Sequence, residues 1–148
     1  MRYFVDAEYN GFCGPMISLA LVPEAPGLAP FYESTGCADP TPWVSEHVLP
    51  VLHTTPVERF ELGRRLAEYL ASDPDPLLIA DWPEDIAHAA MALVAGPGRR
   101  HDVSHVRFEL CDAFGFDAAA LSTVPHNALH DAVALRDFML HREAREPR

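Results

Sequence analysis

Two carboxylates, Asp6 and Glu8, stand one residue apart in the alternating run Arg2-Tyr-Phe-Val-Asp-Ala-Glu. If that run is a strand, Tyr3, Val5 and Ala7 share one face and Phe4, Asp6 and Glu8 share the other. Side chains at i and i+2 of a strand project side by side, so the two acids repel unless a cation lies between them. An all-oxygen pair suits Mg²⁺ or Mn²⁺ better than zinc. Taken alone, the pair also reads as two solvated turn acids. Asp131 is a second anomaly: it lies three residues after Ala128 and four before Leu135, on the apolar stripe of a helical pattern. A buried, unpartnered carboxylate is expensive, so it calls for a cation or strong donors, unless the helix is rotated to leave it at the boundary. Asp85 falls in the first turn of a helix after Leu77-Leu-Ile-Ala, and Ala89 four residues on turns it toward the buried side. Glu84 beside it needs only the helix dipole. Asp81 reads as the N-cap of the same helix and remains a rival to Asp85. His126 precedes Asp131 by five residues, in a loop, and an imidazole can take a proton from water near neutral pH. Plain solvent exposure is its other reading. His47, His53, His88, His101, His105, His130 and His141 have no such setting and read as surface or packing residues.

The elements that must position these groups follow from periodicity and punctuation. Residues 2–8 form a first strand, and Asn10-Gly11 and Gly14-Pro15 turn the chain. Met16 to Val22 makes a second strand, Pro23 to Pro30 a turn, and Phe31 to Ser34 a short third strand. Thr41, with Pro42 at the first helical position, opens a helix over Trp43 to Leu49 that ends before Pro50. Thr55, Pro56 and Glu58 signal a second helix start, and Val57, Phe60, Leu62, Leu66 and Leu70 form its stripe up to about Ala71. Leu77 to Ala80 is a short run of the type a doubly covered strand shows. Asp81-Trp-Pro-Glu opens a helix with stripe Ile86, Ala89, Ala90, Leu93 and Val94, and Gly96 to His101 reads as a loop. Val103 to Phe116 is open between strand and short helix, and a last helix runs from about Asn127 to Glu143. Strands first, then strands alternating with helices, predict one α/β domain over residues 1–148 on a mixed sheet.

Composition bounds the function. The chain has 148 residues, 49% of them hydrophobic, which is core enough for one ordinary domain. Its 11 basic residues, all arginine, face 22 acids for a net charge of −11. That balance excludes a protein that coats nucleic acid by counterion release, but not an enzyme that takes a polyanion at one point through bound metal. Cys13, Cys37 and Cys111 make an odd set without C-x-x-C spacing, which points to a reducing compartment. The first residues lack a signal-peptide core and no run approaches membrane-spanning length, so the expectation is a soluble, cytoplasmic protein.

The order of these signals resembles the DEDDh exonucleases. Phe4-Val-Asp-Ala-Glu-Tyr-Asn-Gly is similar to their first motif, and His126-Asn-Ala-Leu-His-Asp131-Ala to their last. Leu77 to Asp85 matches the second in spacing but lacks the His-Asn before its helix, which keeps Asp81 open as the alternative. Trp43-Val-Ser-Glu-His-Val-Leu-Pro is similar to a segment of the small bacterial 3′–5′ exoribonucleases with the ribonuclease T fold. The resemblance spans residue 2 to about 139. It implies a ribonuclease H-like fold, with a five-stranded mixed sheet of order 3-2-1-4-5 flanked by helices, and a homodimer. It also implies that Asp6, Glu8, Asp85 and Asp131 hold two Mg²⁺ or Mn²⁺ ions, with His126 as general base. The reaction implied is release of 5′-mononucleotides from the 3′ end of short single-stranded RNA. Tyr9 stands where relatives stack a terminal base, although an ordinary turn tyrosine fits as well. Arg99 and Arg100 either steer phosphates or belong to a solvated loop. Two rival functions keep these features: an exonuclease on DNA, since only the 2′-OH separates the substrates, and a catalytically silent module that binds nucleotides or a protein.

Overall fold

The computed structural model describes residues 1–145. Three strands open the chain, β1 (Arg2–Tyr9), β2 (Met16–Pro23) and β3 (Phe31–Ser34), and form an antiparallel meander. After α1 (Pro42–His47), a 3₁₀ turn (Leu49–Val51) and α2 (Arg59–Leu70), strand β4 (Leu77–Ala80) returns parallel to β1. Helix α3 (Pro83–Ala92) leads into a two-stranded ribbon, β5 (Val94–Gly96) and β6 (Arg99–Arg100). Strand β7 (Arg107–Leu110) then adds parallel to β4, and α4 (Ala118–Leu121) and α5 (Ala128–Arg145) close the described chain. The main sheet is therefore mixed, five-stranded, and ordered β3-β2-β1-β4-β7. The expected order holds, with the difference that its fifth strand is the seventh in the chain because the ribbon intervenes.

Helices cover both faces. Tyr3, Val5 and Ala7 of β1, with Leu19 and Leu21 of β2, pack on Leu62, Leu66 and Leu70 of α2 and Ala89 of α3. On the other face Phe4 and Ile79 meet Leu135 and Met139 of α5, and Ala20 and Val22 meet Ala128 and Ala132. Every residue of β2 is buried, as a central strand covered on both sides requires. A side chain such as Leu66, with no exposure, contributes roughly 2–5 kcal/mol by the cost of its truncation to alanine. The contact between α5 and β2 is made by small side chains, which lets the helix lie close and sets the height of everything at its N-terminus.

Four local expectations change. Helix α1 stops at His47, and Pro50 sits inside the 3₁₀ turn rather than ending a longer helix. Thr55 and Pro56 do not start α2: Val57 instead donates its N–H to Ser34 O at the end of β3, and the cap is Glu58. Val94 leaves the helix stripe for β5 and is exposed, while Gly96 to His101 is largely hairpin rather than loop. The open stretch from 103 to 116 contains a strand, and α4, which no apolar periodicity announces, is capped by the Asp117 side chain on Ala119 N–H. No helix among the described residues is long and apolar enough to cross a membrane.

Candidate active site

The alternation of β1 puts Asp6 and Glu8 on the α5 face, directly beyond Phe4. A register shift between Glu8 and Tyr9 ends the regular pairing with β2 there, a device that re-aims side chains at a strand end. Since Phe4 packs on Leu135, the residue one helical turn before Leu135 comes level with the strand's acids. That residue is Asp131, which is 5% exposed. Ligand atoms of Glu8, His126 and Asp131 all lie within 4.8 Å of one another.

The entry to α5 is tightly held. Asn127, buried, caps the helix by accepting from Leu129 and His130 N–H (3.1 and 3.3 Å) and donates to Val51 O at 2.6 Å. Asp131 Oδ2 reaches back to accept the His126 N–H at 3.0 Å. His126 itself takes φ +66°, a left-handed conformation that a non-glycine residue adopts only when its surroundings impose it. Its ring meets Trp43 edge-on at 4.8 Å, and Trp43 stacks on His47 at 4.8 Å with 13° between the planes. His47, read from sequence as a surface or packing residue, thus stands at the rim of the site.

Asp85 arrives from α3. It is 4% exposed and accepts the Ala7 N–H at 3.3 Å, tying the first turn of α3 to β1 between the two strand acids. The expected capping by Asp81 does not form: Trp82 is the N-cap and Pro83 begins the helix. Asp81, released from that role, is half-buried and lines the same cleft as Asp6, Glu8 and Asp85. Glu84 does more than face the dipole, since it accepts from Cys13 N–H (2.9 Å) and Trp82 Nε1–H (3.1 Å) and so pins the turn after β1.

Burial pushes all five acids up, and neighbouring carboxylates add to the rise of Asp6, Glu8 and Asp85. Glu8 rises to about 8 through burial and then the charge of Asp131, and Asp85 to about 8 through burial and then Asp81. Asp6 is raised well above the carboxylate range by burial, with Asp85, Glu8, Asp131 and Asp81 adding repulsion. Asp81 and Asp131 are raised by burial. Asp6 lines an open cleft, yet its Oδ2 is fully buried, and neither it nor Asp131 Oδ1 has a hydrogen-bond partner. Unpartnered oxygens from two separate elements, β1 and α5, in a cleft lined by no arginine, fit a hard divalent ion.

The cleft encloses about 310 Å³, enough for a nucleotide-sized group. Its floor is acidic and its walls are aromatic: Tyr9, Phe12, Trp43, Trp82 and Phe116, with no arginine among the lining residues. The Tyr9 ring packs against His88 at 4.8 Å with 32° between the planes, and burial raises its hydroxyl's pKa. Sequence reasoning missed Phe12 and Trp82. They are 89% and 55% exposed; an aromatic residue in the polar turn after Asp6-x-Glu8 is the signal that could have found Phe12, and one directly after Asp81 the signal for Trp82. The chain matches no family model and no curated protein.

Proposed function

We propose that this chain is a metal-dependent 3′–5′ exoribonuclease of the DEDDh type on a ribonuclease H-like fold. The observation that carries the reading is the convergence of Glu8, His126 and Asp131 within 4.8 Å beside Asp6 and Asp85. Asp6, Glu8, Asp85 and Asp131 would hold two Mg²⁺ or Mn²⁺ ions, with Asp81 the alternative to Asp85. Such ions, when bound, neutralise charge on the scissile phosphate and stabilise the attacking and leaving oxygens. His126 takes the proton from the attacking water as the new P–O bond forms and the bond to the preceding 3′ oxygen breaks. A 5′-mononucleotide leaves and the shortened strand keeps a free 3′-OH. Asp131 fixes His126 through its backbone N–H, and Trp43 limits the swing of the ring. Tyr9 and the aromatic walls receive the terminal base by stacking, which needs no base-specific hydrogen bond. A cytoplasmic setting fits the three cysteines, all free. A homodimer is part of the same proposal.

The test is incubation of the protein with Mn²⁺ and 5′-labelled single-stranded RNA, with the DNA of the same sequence beside it. Stepwise shortening of the RNA from its 3′ end is expected. Preference for DNA would change the substrate, and no product from either would leave the silent binding module.

A further inference from the structure

Strand β2 carries a single polar residue, Ser18, in the run Met16-Ile-Ser-Leu-Ala-Leu-Val-Pro23. It has no exposure, and its hydroxyl has no hydrogen-bond partner among the described residues. The same holds for Ser34 at the end of β3, the residue paired with it in the sheet register. Two neighbouring buried hydroxyls, both unengaged, are costly, because each has given up water without a replacement. The packing does not require them. Ala20 and Val22, which alternation puts on the same face of β2 as Ser18, meet Ala128 and Ala132 of α5 through apolar surface alone.

Their place in the sheet supplies a reason. Glu8 stands opposite Ser18 and Tyr9 opposite Met16, so Ile17 is an extra residue on β2 at the register shift, and such a bulge re-aims side chains. Glu8, Ser18 and Ser34 therefore form one row across the three strands, on the face that α5 covers. Directly opposed residues of antiparallel strands have Cβ atoms about 4.5–5.5 Å apart, and a serine hydroxyl turns among three staggered positions. Other polar groups on that face are engaged: Tyr32 donates its hydroxyl proton to Leu52 O at 2.5 Å, and the Asn127 amide caps α5 and donates to Val51 O. Two acceptors neighbour Ser18, the Tyr32 oxygen and the Glu8 carboxylate. A carboxylate that ligates metal is ionised, and an ionised acceptor takes a hydroxyl proton more strongly than a phenol oxygen does. We propose that Ser18 is a positioning residue for Glu8: its hydroxyl donates to the Glu8 carboxylate when that group holds a divalent ion, and the Ser34 hydroxyl donates in turn to Ser18. The inference rests on the metal-dependent reading above and goes beyond it, to the buried floor that holds one of the ligands. The two hydroxyls thus cost stability in the metal-free protein and gain partners on metal binding.

The experiment measures Mn²⁺ binding by calorimetry and the melting of the metal-free protein, for the wild type, Ser18→Ala, Ser18→Thr, Ser34→Ala and Tyr32→Phe. Ser18→Ala should raise the Mn²⁺ Kd by about 10–100-fold. Its metal-free Tm should be no lower than that of the wild type, because the hydroxyl it removes has no partner there. Ser34→Ala, one step further from the ligand, should raise Kd less, and Ser18→Thr, which keeps the hydroxyl, should restore it. Tyr32→Phe should leave Kd unchanged. An unchanged Kd in Ser18→Ala, where the wild type binds Mn²⁺, would overturn the inference alone. So would a rise in Kd for Tyr32→Phe equal to that of Ser18→Ala, which would make Tyr32 the partner of Ser18. A wild type that binds no Mn²⁺ strikes the metal-dependent reading and the Ser18 assignment with it. A wild type that binds Mn²⁺ but leaves RNA uncut strikes the exoribonuclease reading only, and the Kd comparison still decides Ser18.

Discussion

Along α2 and at the start of β1 each of several acids has an arginine within reach, whereas the cleft that holds Asp6, Glu8, Asp81 and Asp85 is lined by no arginine. Glu61 accepts from Arg64 and Arg65 and is held down to about 2, and Arg2 likewise lowers Glu24. Glu8 and Asp85, chemically the same groups, are pushed up to about 8 by burial and by neighbouring acids. The chain has 22 acids and 11 arginines, so a shortage of cations was certain. Its placement was not. The fold pairs a set of surface carboxylates with arginine and gathers five others around one cleft that no arginine lines, the arrangement that the proposed divalent ions would neutralise.

The comparison breaks most visibly at the cleft. Asp6→Ala and Asp131→Ala should bring hydrolysis below detection while far-UV circular dichroism stays unchanged; an active Asp6→Ala would remove Asp6 from the metal set. His126→Ala should lower kcat by about 10²–10⁴-fold, with metal binding followed separately by calorimetry to show that the loss lies in proton transfer. A smaller effect is expected in stability. Glu8 and Asp85 take values of about 8 in the folded protein, above those of an unfolded chain, so the folded state binds more protons between those limits. For the metal-free protein this contribution is fully present below the ordinary carboxylate range and is lost as pH rises toward about 8. Thermal melts across that window should show Tm falling with pH, and Mn²⁺ should flatten the fall; a Tm that rises with pH would contradict the burial assigned to these acids.

Two finer changes sharpen the contrast. Asp85→Asn removes a charge that repels its neighbours once the group ionises, so in the metal-free protein above pH 8 it should raise Tm by about 2–4 °C for each kcal/mol relieved, while hydrolysis falls. The same exchange at the paired acid, Glu61→Gln, loses an exposed ion pair that solvent screens, and its Tm should be indistinguishable from wild type. If Glu61→Gln moved Tm more than Asp85→Asn, the unequal distribution of electrostatic demand would be mistaken.

Asp6, Glu8 and Asp131 were legible in the sequence because strand and helix periods are local: a residue's face follows from its neighbours two, three or four positions away. His126 was legible only from its place before that helix, and nothing local announced Trp43 and His47 around its ring. Asp81 was misread because Pro83 moves the helix start by one residue, which gives the cap to Trp82 and frees the carboxylate into the cleft. Arg99 and Arg100 read equally as loop charges or phosphate contacts, and the structure puts both on the exposed strand β6.

What the sequence determined by itself was therefore which face each candidate residue occupies, along with the strands, the main helices and the deficit of cations. Only the tertiary structure decided that those faces converge. Small residues, Ala20, Ala128 and Ala132, let α5 settle close on the sheet and bring Asp131 level with Glu8, and the insertion of β4 beside β1 carries Asp85 to Ala7. Such convergence depends on which surfaces bury each other across the whole chain, and no spacing along the sequence encodes that.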